Sequence, residues 1–111
     1  MIDDETKYSI EEVVEICKTA PIYIVNREKT RQFRLKINKS IEDLKVEIRT
    51  LRPEYSCAEP EKDYDETRSG YVYQFKKLAF GQYWCYIKVK VKQRKIVVVI
   101  SFHEEDINYE K

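Results

Sequence analysis

Hydrophobic positions change their period once along this chain. Ile10, Val13, Val14 and Cys17 recur at i, i+3, i+4 and i+7, the spacing of one helical face. Ser9 and Glu12 stand just ahead as a capping box, so a helix is predicted over about residues 10–19, ended by Pro21. Ile22 to Val25 is a short β-branched run and reads as a strand. Asn26 is the expected cap of a second, basic helix through Ile37, with Phe33 and Ile37 facing inward. Ser40-Ile41-Glu42-Asp43 repeats the capping signature. Ile41, Leu44, Ile48 and Leu51 then keep helical spacing to about residue 51, where Pro53 closes the helix. Residues 53–70 hold two prolines, Gly70 and six acids, the pattern of a long irregular loop.

From Tyr71 the period becomes two. Residues 71–80, 83–92 and 95–102 read as three strands joined by turns at Gly81-Gln82 and Gln93-Arg94. The middle strand places Ile87, Val89 and Val91 on one face and Tyr86, Lys88, Lys90 and Lys92 on the other. The last strand is apolar on both faces, which predicts an interior position. Helices followed by an antiparallel meander define an α+β domain, its N-terminal helices packed on one face of a mainly antiparallel, twisted sheet. The helices should cover the Ile87 face and leave the lysine face open. A two-residue turn at Gln93-Arg94 sets Tyr86 opposite Ser101 and Lys88 opposite Val99, so that Tyr86, Lys88, Ser101 and His103 share the open face. The first strand has two outcomes. Val72, Gln74 and Lys76 join that face if the Gly81 turn has an odd number of residues; Tyr71, Tyr73 and Phe75 do if it has two.

No repeat or linker divides the 111 residues, so one domain spans 1–111. With 42% apolar and 37% charged residues the chain is too apolar for disorder and too charged for a membrane protein. No apolar run nears the ~18 residues of a membrane span. The acidic start, Met1 to Glu5, does not read as a signal or transit peptide. Cys17, Cys57 and Cys85 are odd in number and widely spaced, which suits a reduced, cytoplasmic chain and offers no CxxC pair.

The net charge of +1 conceals a division. Between Tyr71 and His103 the charged residues are all basic, and a second basic cluster runs from Arg27 to Lys39, interrupted only by Glu28. Such a surface fits a polyanion, although lysines also line the wet face of an ordinary sheet and discourage edge pairing. Nine tyrosines, four phenylalanines and one tryptophan interleave with the lysines, which adds a capacity for base stacking. There is no HExxH, phosphate-binding glycine loop or GxSxG. Asp63 and Asp65 read as solvated loop acids, the cysteines as core residues or bystanders, and no metal or cofactor is expected. His103, the one histidine, reads as a structural residue or as a proton-transfer group near neutral pH.

A phenol, an ammonium and an imidazole on one open basic face suffice for RNA cleavage. The nucleophile is the substrate's own 2′-OH, so the protein needs only a base, an acid and a cation against the phosphorane charge. In that arrangement Lys76, Lys77, Lys88 and Lys90 would steer phosphates.

The runs Tyr71-Val-Tyr-Gln-Phe-Lys-Lys, Cys85-Tyr-Ile-Lys-Val-Lys-Val and Val98-Val-Ile-Ser-Phe-His resemble the C-terminal half of the MqsR-family toxins, ribonucleases of type II toxin–antitoxin pairs with a RelE-like fold. Asn26-Arg-Glu-Lys, the 41–51 helix and Leu51-Arg-Pro-Glu-Tyr55 follow the same layout, so the resemblance covers about residues 8–105. It implies a metal-independent endoribonuclease acting on mRNA and held inactive by a cognate antitoxin. Tyr86 matches the family's active-site tyrosine and Gln74 its glutamine. Where the best-known members carry lysine after Ser-Phe, this chain has His103. A family lysine near the end of the third helix falls at Ser56 or Cys57, with Lys62 the nearest lysine. The open face and the resemblance together give Tyr86 as the expected base or transition-state donor, His103 as acid or base, Lys88 as the cation and Gln74 as a positioning group. The competing expectation is a non-catalytic RNA- or protein-binding module, or a degenerate toxin kept as a regulator, on the same scaffold.

Overall fold

The computed structural model describes residues 6–63 and 70–105. Among these, three helices, α1 (Ile10–Thr19), α2 (Glu28–Lys36) and α3 (Ile41–Arg49), accompany five strands: β1 (Ile22–Ile24), β2 (Glu61–Lys62), β3 (Tyr71–Ala79), β4 (Tyr83–Lys92) and β5 (Ile96–Glu104). The strands form one sheet in the order β1-β5-β4-β3-β2. The β3-β4-β5 meander is antiparallel, and β1 adds a parallel strand beside β5. The α+β reading holds, and β5 is interior as its two apolar faces require. No described helix is long and apolar enough to cross a membrane.

The capping boxes form as written. Ser9 Oγ accepts from the Glu12 amide while Glu12 accepts from the Ser9 amide, and Ser40 and Asp43 do the same for α3. Residue α2 starts differ from expectation: its N-cap is Arg27, with no side-chain bond, rather than Asn26. Val13, Val14 and Cys17 of α1 and Leu44 and Ile48 of α3 enter one core with Phe75, Ile87, Val89, Val97, Val99 and Phe102. Each such side chain contributes about 1.5–3 kcal/mol when fully buried. Arg49 joins the two helices by donating to the Cys17 and Ala20 carbonyls at 3.2 and 2.8 Å, which satisfies acceptors left over at the end of α1. The 53–70 segment is more ordered than a plain loop where it is described. It holds a 3₁₀ turn, Pro53–Tyr55, and the short strand β2 on the edge of β3.

Two turns and a bulge decide what the open face carries. Ala79 pairs with Tyr83, so Phe80-Gly81-Gln82 is a three-residue turn, with Phe80 and Gly81 at φ of 55° and 66°. The odd count sets Gln74 opposite Lys88 and Lys76 opposite Tyr86, which selects the first of the two outcomes for β3. The second turn also has three residues, because Lys92 pairs with Ile96 rather than Lys95. That alone would invert the far end of β5. A β-bulge corrects it: Val89 pairs with Val99 but Lys88 with Ser101, leaving Ile100 as the extra residue. Ile100 and Ser101 consequently both lie on the open side, while Val99 and Phe102 are fully buried. The expected face is preserved but the partners are corrected: Tyr86 lies opposite His103, and Lys88 opposite Ser101.

Lys77 corrects the expected set of phosphate-steering lysines. It alternates with Lys76 and so points to the helix side, where its ammonium meets Glu47 at 3.1 Å and donates to the Glu47 carbonyl and Thr50 hydroxyl. It is 8% exposed and belongs to the seam between β3 and α3.

Candidate active-site cleft

Beyond Val99 the outer edge of β5 is no longer covered by β1, and α2 takes over. Thr30 Oγ1 accepts from the Phe102 amide at 3.1 Å, and Phe33 stacks on Phe102 with ring centroids 6.2 Å apart. This docking brings Lys29, one residue before Thr30, to the rim of the open face. A cleft of about 450 Å³ results, lined by Lys29 from α2, Lys76 from β3, Tyr86 and Lys88 from β4, Ser101 and His103 from β5, and Glu105 just beyond it. Four of the sequence-predicted residues, Lys76, Tyr86, Lys88 and His103, thus converge from three strands.

Tyr86 and His103 are a cross-strand pair whose rings meet edge to face, with centroids 6.5 Å apart and planes at 86°. His103 Nδ1 lies 3.0 Å from the Glu104 carbonyl oxygen. A carbonyl only accepts, so Nδ1 carries the proton of the neutral ring and Nε2 holds the basic lone pair. Lys76 pairs with Glu105 at 2.8 Å. The Glu105 carboxylate holds the Lys76 ammonium above its ordinary range, so Lys76 is a permanent cation whose counter-charge is half-buried, at 29% exposure. Lys29 and Lys88 have no carboxylate partner among the described residues.

Lys88 also borders a second, smaller cleft of about 160 Å³, shared with Gln74, Arg27, Ile100, Lys62 and Asp63. Gln74 therefore stands beside Lys88 rather than beside Tyr86. Of the alternatives for the lysine near the end of the third helix, Lys62 lines this second cleft. Cys57 is exposed beside β3, close enough to Lys76 and Glu105 to feel their charges, and donates its amide to the Gln74 carbonyl at 3.0 Å. Burial pushes the Cys57 thiol upward, and does so more strongly for Cys17 and Cys85, to about 12. All three cysteines are free thiols.

Lys90 is a further correction. It lies on the predicted face, yet it is 4% exposed and pairs with Asp63 at 3.1 Å. The acidic segment folds back to neutralise it. The Asp63 side chain is accordingly only 8% exposed rather than solvated; Asp65 lies outside the described residues. No group of three or more His, Cys, Asp or Glu side chains clusters as metal ligands among the described residues.

Sequence reasoning missed Lys29 and Glu105 as cleft residues. Lys29 was visible only as one member of a basic cluster, because helical spacing does not say where a helix docks. Comparison with family models, curated proteins and solved structures gave no match. The function must therefore be argued from the cleft, which presents three ammonium groups, a phenol and an imidazole with a defined basic nitrogen.

Proposed function

We propose that this chain is a metal-independent endoribonuclease of the RelE-like, MqsR-type toxin class, acting on single-stranded mRNA in the cytoplasm and restrained by an antitoxin protein. The observation that carries the reading is the convergence of Tyr86, His103, Lys29, Lys76 and Lys88 on one cleft. The three ammonium groups attract a phosphate and offset the charge that builds on it in the transition state. A substrate 2′-oxygen bonds to the adjacent phosphorus as its proton passes to His103 Nε2. The bond from phosphorus to the 5′-oxygen breaks, and that oxygen takes the proton of the Tyr86 hydroxyl. The products are a 2′,3′-cyclic phosphate and a 5′-hydroxyl. Gln74, cross-strand from Lys88, would position the neighbouring nucleotide.

The test is cleavage by the purified chain, free of any partner, in the presence of a chelator. RNA should be cut to 2′,3′-cyclic phosphate ends and the same sequence made as DNA spared, since it lacks the nucleophile. Salt-sensitive RNA binding without cleavage would favour the non-catalytic binding module.

A further inference from the structure

The open face does not end at the cleft. Trp84 precedes Tyr86 by two residues on β4 and so projects from the same face, about 6.8 Å further along the strand. Leu78 faces it across β3. Trp84 is 57% exposed and Leu78 42%. Among the described residues the indole has no ring, cation or side-chain hydrogen-bond partner. An indole left in water beside an exposed leucine forgoes burial that a core would supply, and clusters of this kind mark contact sites. The net charge of the neighbouring cleft selects the partner. Lys76 lies next to Leu78 in the outward set of β3 and is paired with Glu105, whose amide donates to the Trp84 carbonyl, while Lys29 and Lys88 leave the cleft that begins at Tyr86 net cationic. A polyanion drawn into that cleft and leaving along β4 passes directly over the indole.

We infer that Trp84, backed by Leu78, is a stacking platform for a base of the single-stranded RNA that enters the cleft, one position beyond the phosphate held there. This rests on the cleft being an RNA site, and it adds that the chain engages unpaired bases outside the reacting position. A duplex keeps its base faces stacked inside and cannot use such a platform, so the substrate must be single-stranded at this flank.

Trp84 is the chain's one tryptophan, so fluorescence excited at the red edge of the indole band, where the nine tyrosines do not absorb, reports on it alone. The wild-type chain is titrated with a short, mixed-sequence single-stranded 2′-O-methyl oligonucleotide, which cannot be cleaved. Saturable quenching is expected. In anisotropy with the same oligonucleotide, end-labelled, Trp84→Ala should bind roughly 5- to 150-fold more weakly, the range for loss of one base–aromatic stack. Trp84→Phe should recover most of that loss. The deficit of Trp84→Ala should persist at high salt, because stacking is not screened as the phosphate contacts are. Unchanged binding by a folded Trp84→Ala chain, or wild-type binding without quenching, overturns the inference, as does quenching by an acidic peptide with none by the oligonucleotide. The two readings separate cleanly. Quenching without RNA cleavage leaves the platform standing and removes the ribonuclease, whereas cleavage with a silent Trp84 does the reverse.

Discussion

Replacing Lys88 with methionine removes a cation that no carboxylate holds among the described residues, while keeping the length and apolar stem of the side chain. If Lys29, Lys76 and Lys88 each neutralise one phosphate, log affinity for single-stranded RNA should fall against log salt with a slope of about −2.1, at roughly 0.7 per phosphate. Raising salt from about 50 to about 200 mM then weakens wild-type binding about 18-fold. Lys88→Met should flatten the slope to about −1.4, so that the same change costs only about 7-fold. Lys77 and Lys90 are equally basic in sequence, but their side chains are 10% and 5% exposed and face Glu47 and Asp63. Removing either ammonium alone breaks a largely buried ion pair, at about 3–5 kcal/mol, a large share of the ~5–15 kcal/mol that holds a domain together. The informative variants are therefore the pairs Lys77→Met with Glu47→Gln and Lys90→Met with Asp63→Asn. Both should keep the wild-type slope in anisotropy measured across a salt series on an uncleavable oligonucleotide. A Lys90/Asp63 pair variant that flattens the slope as much as Lys88→Met would refute the argument that Asp63 withdraws Lys90 from the surface.

Three further expectations follow from the same geometry. Tyr86→Phe and His103→Ala should each lower the RNA cleavage rate on the order of 100- to 10,000-fold with unchanged melting temperature; full activity in His103→Ala would reduce that residue to a structural one. Thr30→Val is nearly isosteric but strands the Phe102 amide, so it should cost about 1–3 kcal/mol in urea unfolding and loosen the docking that places Lys29; an unchanged midpoint would mean the amide has another partner. The Arg94 side chain, donating to Glu12, and the Ser40 backbone, donating to Asp43, hold those two carboxyls below their ordinary values of 4.5 and 3.8. The stability they contribute is present above the ordinary values and lost as pH falls through the lower folded ones, so the acid limb of a urea-midpoint profile should flatten in Glu12→Gln and Asp43→Asn.

Much of this molecule was legible along the chain because local rules governed it. The capping boxes at Ser9 and Ser40 need only residues three apart. The helical periods of Val13-Val14-Cys17 and Leu44-Ile48 and the alternation of Ile87-Lys88-Val89 each report a face without reference to the rest of the fold. The α+β class follows from their order, and the grouping of Tyr86 and Lys88 follows from period two alone. The long-range choices lay elsewhere. Whether Gln74 or Tyr73 joined that group depended on one residue in the turn after Ala79. His103 stayed on the open face only because the bulge at Ile100 offset the extra residue in the next turn, two departures from regular geometry that conceal one another in the sequence.

Tertiary structure alone decided which charges are available. Lys76 and Lys77, like Lys88 and Lys90, are near neighbours of one chemical type, and composition counts them alike. Lys77 meets Glu47 across the helix–sheet seam, and Lys90 meets Asp63 from a segment 27 residues away; a carboxylate brought that close in a dry site cancels a cation that the sequence counts in full. The docking of α2 through Thr30 similarly turned Lys29 from one of many exposed helical lysines into a wall of the cleft. Propensity and period are written in neighbouring residues, whereas charge pairing depends on distances between segments that come together only when the core closes.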